Sequence, residues 1–322
     1  MNPKELKRNL KGVIAVQLFP FTPSGELDVD GLRENTEFLA DFASEGDKDL
    51  VILTNGSTSE FYALSDKEQD MAIETVVEAS GDTPVVAGAS RAGTAEAVNA
   101  AKRAEQLGAD GIMIVLPYYH QATKEGTYRH FETIAGAIDS GIMLYNNPFV
   151  SGSWVDPQLL ARISKIDNVV AVKENTSSGT QFEDVSRYLD PEDMTLICGL
   201  GEKMYPASVP YGAKGFVSTP ANFAPSLAYD LYLAGKEEDV QGMKKALGKY
   251  KPYYDLMDKA VACREETTIM RDTRRGNPVY QAMGKYGLDY VGLNGGVPRL
   301  PILGLTDEEK EELEEAFEEM GL

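Results

Sequence analysis

The residue in this sequence best placed to do chemistry is a lysine at the end of an apolar, β-branched run. Residues 167–174 read D-N-V-V-A-V-K-E, so Lys173 closes a stretch composed like a strand buried on both faces and is followed by polar Glu174, Asn175 and Thr176. Burial disfavours the ammonium form, and each unit of pKa depression below about 10.4 gives roughly tenfold more free amine at neutral pH. A desolvated free amine is the nucleophile that Schiff-base chemistry requires. A lysine that only snorkels out of a strand end has the same local sequence.

Three other stretches carry groups that could work with such an amine. Residues 55–61, N-G-S-T-S-E-F, form a glycine turn whose hydroxyls and backbone N–H groups could cradle a carboxylate, although a capped structural turn reads similarly. Residues 117–120 read P-Y-Y-H and residues 145–148 read Y-N-N-P. The Tyr145 phenol could shuttle a proton during imine formation and bond cleavage, or could be a core tyrosine with its hydroxyl satisfied. His120 and His130 are the only histidines; without a third such ligand or an H-x-x-x-H spacing, no metal site is expected. The absence of G-x-S-x-G removes the usual support for a serine hydrolase.

These groups must be held by a scaffold, and the chain supplies a regular one. Short apolar runs at 13–17, 50–54, 84–87, 111–116, 142–145, 169–173, 196–199 and 215–218 alternate with amphipathic stretches such as 28–43, 66–79, 94–107 and 127–138. Gly108 follows one of these stretches as a helix C-cap should. Eight such units with no G-x-G-x-x-G after the first strand predict a closed α/β barrel, the (β/α)8 TIM barrel, over residues 1–235. The pattern then loses its strands: residues 225–235 close the eighth unit, and 237–259, 265–286 and 306–320 read as helices, giving a C-terminal helical extension over 236–322. In a parallel barrel, active sites collect at the carboxyl ends of strands, where all four candidate stretches fall.

Composition excludes several classes. The 322 residues carry a net charge of −20, which argues against nucleic acid or an anionic membrane as a partner and is read as a solvated surface or an adaptation to salt. Two cysteines, Cys198 and Cys263, are too few for a disulfide framework, and no apolar run reaches signal or membrane-spanning length, so a cytoplasmic location is expected.

Taken together, the strand ends resemble the dihydrodipicolinate synthase and N-acetylneuraminate lyase family of class I aldolases. The resemblance runs from about residue 12 to 232 and extends through P-R-L-P-I-L-G-L at 298–305. The family's G-x-T-G-E turn appears as G-S-T-S-E, its P-Y-Y at 117–119, its Y-N-x-P at 145–148 and its V-K-E at 172–174. The resemblance implies that Lys173 forms the Schiff base with a 2-oxo acid, that Tyr145 is the acid/base group, and that Ser57 and Thr58 hold the substrate carboxylate. It further implies that Tyr119 joins the proton relay of a neighbouring subunit in a homotetramer, that Gly199 and Val217 line the pyruvate pocket, and that no cofactor or metal is needed. Two positions depart from the pattern: Ser59 stands where the turn has glycine, and Val150 stands where dihydrodipicolinate synthases carry an arginine for the second substrate's carboxylate. Arg91, at the end of the third strand, could offer another positive group. Asn147 and Ser151 could bind substrate hydroxyls or stabilise their own turn. The expected activity is that of a lyase on pyruvate or a 2-keto-3-deoxy sugar acid. Dehydration by the same imine, true 4-hydroxy-tetrahydrodipicolinate synthesis and non-catalytic binding of a 2-oxo acid are the alternatives.

Overall fold

The computed structural model describes residues 1–263 and 279–322. Eight strands, β1 (Gly12–Val16), β2 (Leu50–Thr54), β3 (Val85–Gly88), β4 (Gly111–Val115), β5 (Gly141–Asn146), β6 (Val169–Glu174), β7 (Thr195–Cys198) and β8 (Gly215–Ser218), pair in parallel and in sequence order. The barrel closes where Gly12 of β1 lies opposite Gly215 of β8. The chain therefore folds as the TIM barrel read from its alternating pattern, with helices appended at the C-terminus.

Every strand residue is buried, which explains why the strands read as continuous apolar runs. Alternate residues serve two cores. Ile14, Val16, Val51, Leu53, Met113, Met143 and Val217 fill the barrel interior, whereas Val13, Ala15, Ile52, Ile112, Ile142 and Phe216 face the surrounding helices. Helix starts follow local chemistry: Ser65 and Glu68 form a reciprocal capping box at helix Asp66–Ala79, and Thr306 and Glu309 form another at helix Asp307–Met320. The helix expected at 127–138 begins earlier, as Lys124–Ala135, because the Thr123 side chain accepts from the Gly126 amide and caps it.

A short helix absent from the sequence reading, Pro3–Asn9, covers the amino-terminal floor of the barrel. Its Leu6, with Leu10 just beyond, belongs to the interior core. β4 and β5 both begin with glycine because a Cβ at Gly111 or Gly141 would lie 2.4 or 2.7 Å from a Leu6 methyl carbon.

In the extension, the single helix expected at 237–259 is two, Val240–Lys249 and Lys251–Cys263. Pro252 is the reason: it has no N–H to donate to the Gly248 carbonyl and continue the earlier helix, and it is tolerated in the first turn of the next, where that N–H is not needed. Of the helix expected at 265–286, residues 265–278 lie outside the described residues, and the remainder belongs to helix Val279–Tyr290. A third core joins the extension to the barrel, with Leu18, Phe223, Ala224 and Leu227 packed among Tyr250, Tyr253, Met283, Leu288 and Phe317. No helix among the described residues is long and apolar enough to cross a membrane.

Candidate active site

Lys173 and Tyr145 are brought side by side by an irregularity in the sheet. Ile142 of β5 pairs with Val169 of β6, but the next residue, Met143, pairs with Ala171, so β6 carries one extra residue. Without that bulge Tyr145 would lie opposite Val172; with it, Tyr145 lies opposite Lys173, and both point into the barrel. The Lys173 Nζ stands 3.9 Å from the centre of the Tyr145 ring. Both side chains are buried, at 4% exposure each.

The electrostatics suit a nucleophilic amine. Desolvation pulls the Lys173 pKa down to about 7, with only a small opposing influence from the Cys198 thiol. Among the described residues no carboxylate pairs with its ammonium. Burial pushes Tyr145 up to about 12, against hydrogen bonds from Asn147, Ser57 and Asn175 that favour its ionised form. Tyr145 is therefore a neutral phenol at physiological pH. Glu174, on the opposite face of β6, accepts from Asn146 at 2.8 Å, the Thr176 amide at 3.1 Å and Trp154 at 3.4 Å, and burial raises it to about 7.

The turn after β2 lies against these two groups. Its Ser57 side chain reaches the Tyr145 hydroxyl, and Thr58 is buried. The backbone enters and leaves the turn through left-handed conformations at Asn55 (φ 52°) and Glu60 (φ 57°), which folds the segment back on itself. Ser59 donates from Oγ to the Gln17 carbonyl at 2.7 Å and accepts from the Gly56 amide at 3.2 Å, so the residue that replaces glycine has become a brace for the turn. The amides of Ser57 and Thr58 donate to no backbone carbonyl among the described residues, as a carboxylate cradle requires.

Gly199 and Val217 also lie where the sequence places them. A Cβ on Gly199 would fall 1.8 Å from Asn175 Oδ1 and 2.9 Å from Lys173 Cγ, so only glycine allows the β7 end this close to the lysine. Val217 lies in the barrel interior with Tyr145 and Ile197. Val150 and Tyr118 pack against the same interior cluster, giving an apolar wall where a charged group is absent. Tyr119 is not brought into this site: it is 80% exposed, with its ring edge-on to His120. Arg91 is committed elsewhere, bonding Asp66 at 2.6 Å and Gln69 at 2.9 Å. Asn147 Nδ2 donates to the Tyr145 hydroxyl at 2.6 Å while its Oδ1 accepts from the Phe149 amide, and the Ser151 hydroxyl bonds the Asn147 carbonyl.

Sequence reasoning missed several buried polar residues around these strand ends. Asn175 directly follows the lysine strand, and the rule that selected Lys173 would have selected it. Glu202, buried after β7, accepts from the hydroxyls of Ser218 and Tyr254, and burial raises its pKa. Glu60 is fully buried and ion-paired at 2.8 Å with Lys285 of the extension, whose Nζ also donates to the carbonyls of Phe19 and Val297. Gln281 of the same helix donates to the Ser57 carbonyl at 2.8 Å.

Comparison with known proteins agrees with this geometry. A 4-hydroxy-tetrahydrodipicolinate synthase of Moorella thermoacetica is 33% identical over 311 residues, spanning 96% of this chain and 98% of the relative. One of Methanopyrus kandleri is 32% identical, spanning 97% of each. The solved dihydrodipicolinate synthase of Bacillus clausii superposes with a TM-score of 0.84 at 26% identity, covering 98% of this chain and 100% of that one. Residues 9–320 match the model of the dihydrodipicolinate synthetase family, so the chain belongs to that family and is an enzyme of its class I, Schiff-base lyase kind.

Proposed function

We propose that Lys173 forms an imine with the keto carbon of pyruvate or of a 2-keto-3-deoxy sugar acid, and that a carbon–carbon bond beta to the imine is then broken or made. The observation that carries this reading is the buried, carboxylate-free Lys173, its pKa near 7, held against Tyr145. The protonated imine draws the electron pair of the breaking bond, and Tyr145 moves the proton that this requires. Ser57 and Thr58 hold the substrate carboxylate, while Gly199 and Val217 shape the pocket around the tethered carbons. No step calls on a metal or an organic cofactor. Tyr119, exposed on its own chain, serves a neighbouring site in a homotetramer, and the buried thiol of Cys198 suits a reducing cytoplasm.

The names of the relatives favour a second reading, condensation of pyruvate with aspartate semialdehyde. Val150 weighs against it, because its apolar side chain offers the second carboxylate no charge. Borohydride trapping tests the imine directly: incubation with pyruvate should add the mass of the reduced adduct at Lys173, and Lys173→Ala should lose both adduct and turnover while keeping its fold. A chain that turns over substrate without adduct would refute the Schiff base.

A further inference from the structure

The loop that follows β5 meets the site with its front and is held from behind. Residues 147–155 carry Asn147, which bonds the Tyr145 hydroxyl, and Val150, which packs on the apolar wall. The two ends of the loop are drawn together by Asn146, the last residue of β5. Its Oδ1 accepts from the Val155 amide at 2.9 Å, and its Nδ2 donates to the Val155 carbonyl at 3.0 Å. The chain thus leaves β5 and returns to the same side chain nine residues later.

Glu174 takes hold of that closure. Its Oε2 accepts from Asn146 Nδ2 at 2.8 Å, while its Oε1 accepts from the Trp154 indole at 3.4 Å and from the Thr176 amide at 3.1 Å. Three donors converge on one fully buried side chain, and among the described residues it donates to none. An ionised carboxylate, which only accepts, is the group that fits. The Asn146 amide cannot turn over to suit another residue, because that would set nitrogen against nitrogen and oxygen against oxygen at Val155. The backbone reinforces the same junction, with the Asn175 amide donating to the Asn146 carbonyl at 2.9 Å. Since successive side chains of a strand point to opposite faces, Glu174 holds the loop without approaching the Lys173 amine.

We infer that Glu174 is a positioning residue: by clamping the base of loop 147–155 it sets where Val150 stands, and so governs how well the site takes the aldehyde that joins or leaves the Lys173 adduct, without acting on imine formation. The inference rests on the imine chemistry proposed above. It puts a determinant of second-substrate specificity at a residue with no exposed surface.

Glu174→Gln keeps the volume but turns an NH2 group on either Asn146 or the Trp154 and Thr176 donors, so the base of the loop must shift. Condensation of pyruvate is followed at pH 8, where the Glu174 carboxylate is ionised, with glyceraldehyde or aspartate semialdehyde, whichever the unaltered protein turns over faster. The KM for the aldehyde should rise about tenfold, the low end for loss of a hydrogen bond to a charged group, with a smaller change in kcat and an unchanged borohydride-trapped yield at Lys173. Emission from Trp154, the sole tryptophan, should shift to the red as the indole loses its partner. Trp154→Phe removes one donor and leaves the carboxylate in place, and should raise the same KM by a smaller factor; should Glu174→Gln not fold, this variant decides by the same reading. An aldehyde KM within about twofold of the unaltered value, with normal trapping, overturns this inference alone. Loss of trapping in folded Glu174→Gln overturns it too, because Glu174 would then act on the lysine itself. No trapping in the unaltered protein, or no turnover with either aldehyde, overturns the proposed function and this inference with it.

Discussion

The amine of Lys173 owes its low pKa to a dry position with no carboxylate beside it, and this makes a prediction about pH. The rate of pyruvate imine formation should rise with pH through about 7, as the free amine becomes the dominant form, and level off above it. An unshifted lysine would place that rise near 10. Glu174 titrates in the same range but faces away from the barrel interior, so Glu174→Gln should leave the rise in place. Rapid-quench trapping across pH 5 to 10 reads both outcomes. Specificity belongs to the same scale. A missing charge-assisted partner costs roughly 1.5 to 3 kcal/mol, or about 10 to 150-fold, and under the proposed function that penalty at Val150 would fall on aspartate semialdehyde, not on pyruvate. Steady-state assays should therefore give a lower kcat/KM for aspartate semialdehyde than for an uncharged hydroxylated aldehyde, and Val150→Arg should raise the former by roughly tenfold. A preference for aspartate semialdehyde in the unaltered protein would mean that another group binds its carboxylate.

At the scale of elements, helix Val279–Tyr290 and the turn after β2 act as one unit joined by a fully buried ion pair. Lys285→Met would leave Glu60 buried without its partner, which costs about 3 to 5 kcal/mol. Denaturant titration should show that loss, and a change within 1 kcal/mol would mean that the pair does not join the two elements energetically. This unit also marks where the sequence stopped being legible. The strands were readable because burial on both faces leaves unbroken β-branched runs, and Lys173 was readable because it interrupts one. The bulge that turns Lys173 toward Tyr145 has no composition of its own: it is a property of how two strands pair. Glu60 and Lys285 are separated by most of the chain, and neither has a local pattern that predicts the other. The break at Pro252, by contrast, was written in the sequence and outweighs the helical period around it.

For the whole molecule, the third core packs residues of barrel and extension together. Its aromatic residues, with Phe317 packed 5.3 Å from Phe223 between ring centres, come from both parts. We expect calorimetry to show a single cooperative transition, and a chain ending at residue 235 to lack cooperative unfolding, since it would expose Phe223 and strip Glu60 of Lys285. Two separate transitions would show that the boundary near residue 235 divides independent folding units. The helix at the amino terminus has a different consequence. With Leu6 and Leu10 seated in its floor, the barrel is a flask stoppered at one end, filled and emptied through the same neck. If a 2-oxo acid is tethered to Lys173 as proposed, anything that joins it would queue behind it, and whatever is released would leave before the next acid enters. Order of arrival would then be a matter of plumbing, set by a packed interior and a seven-residue helix beneath it that leave only one way in.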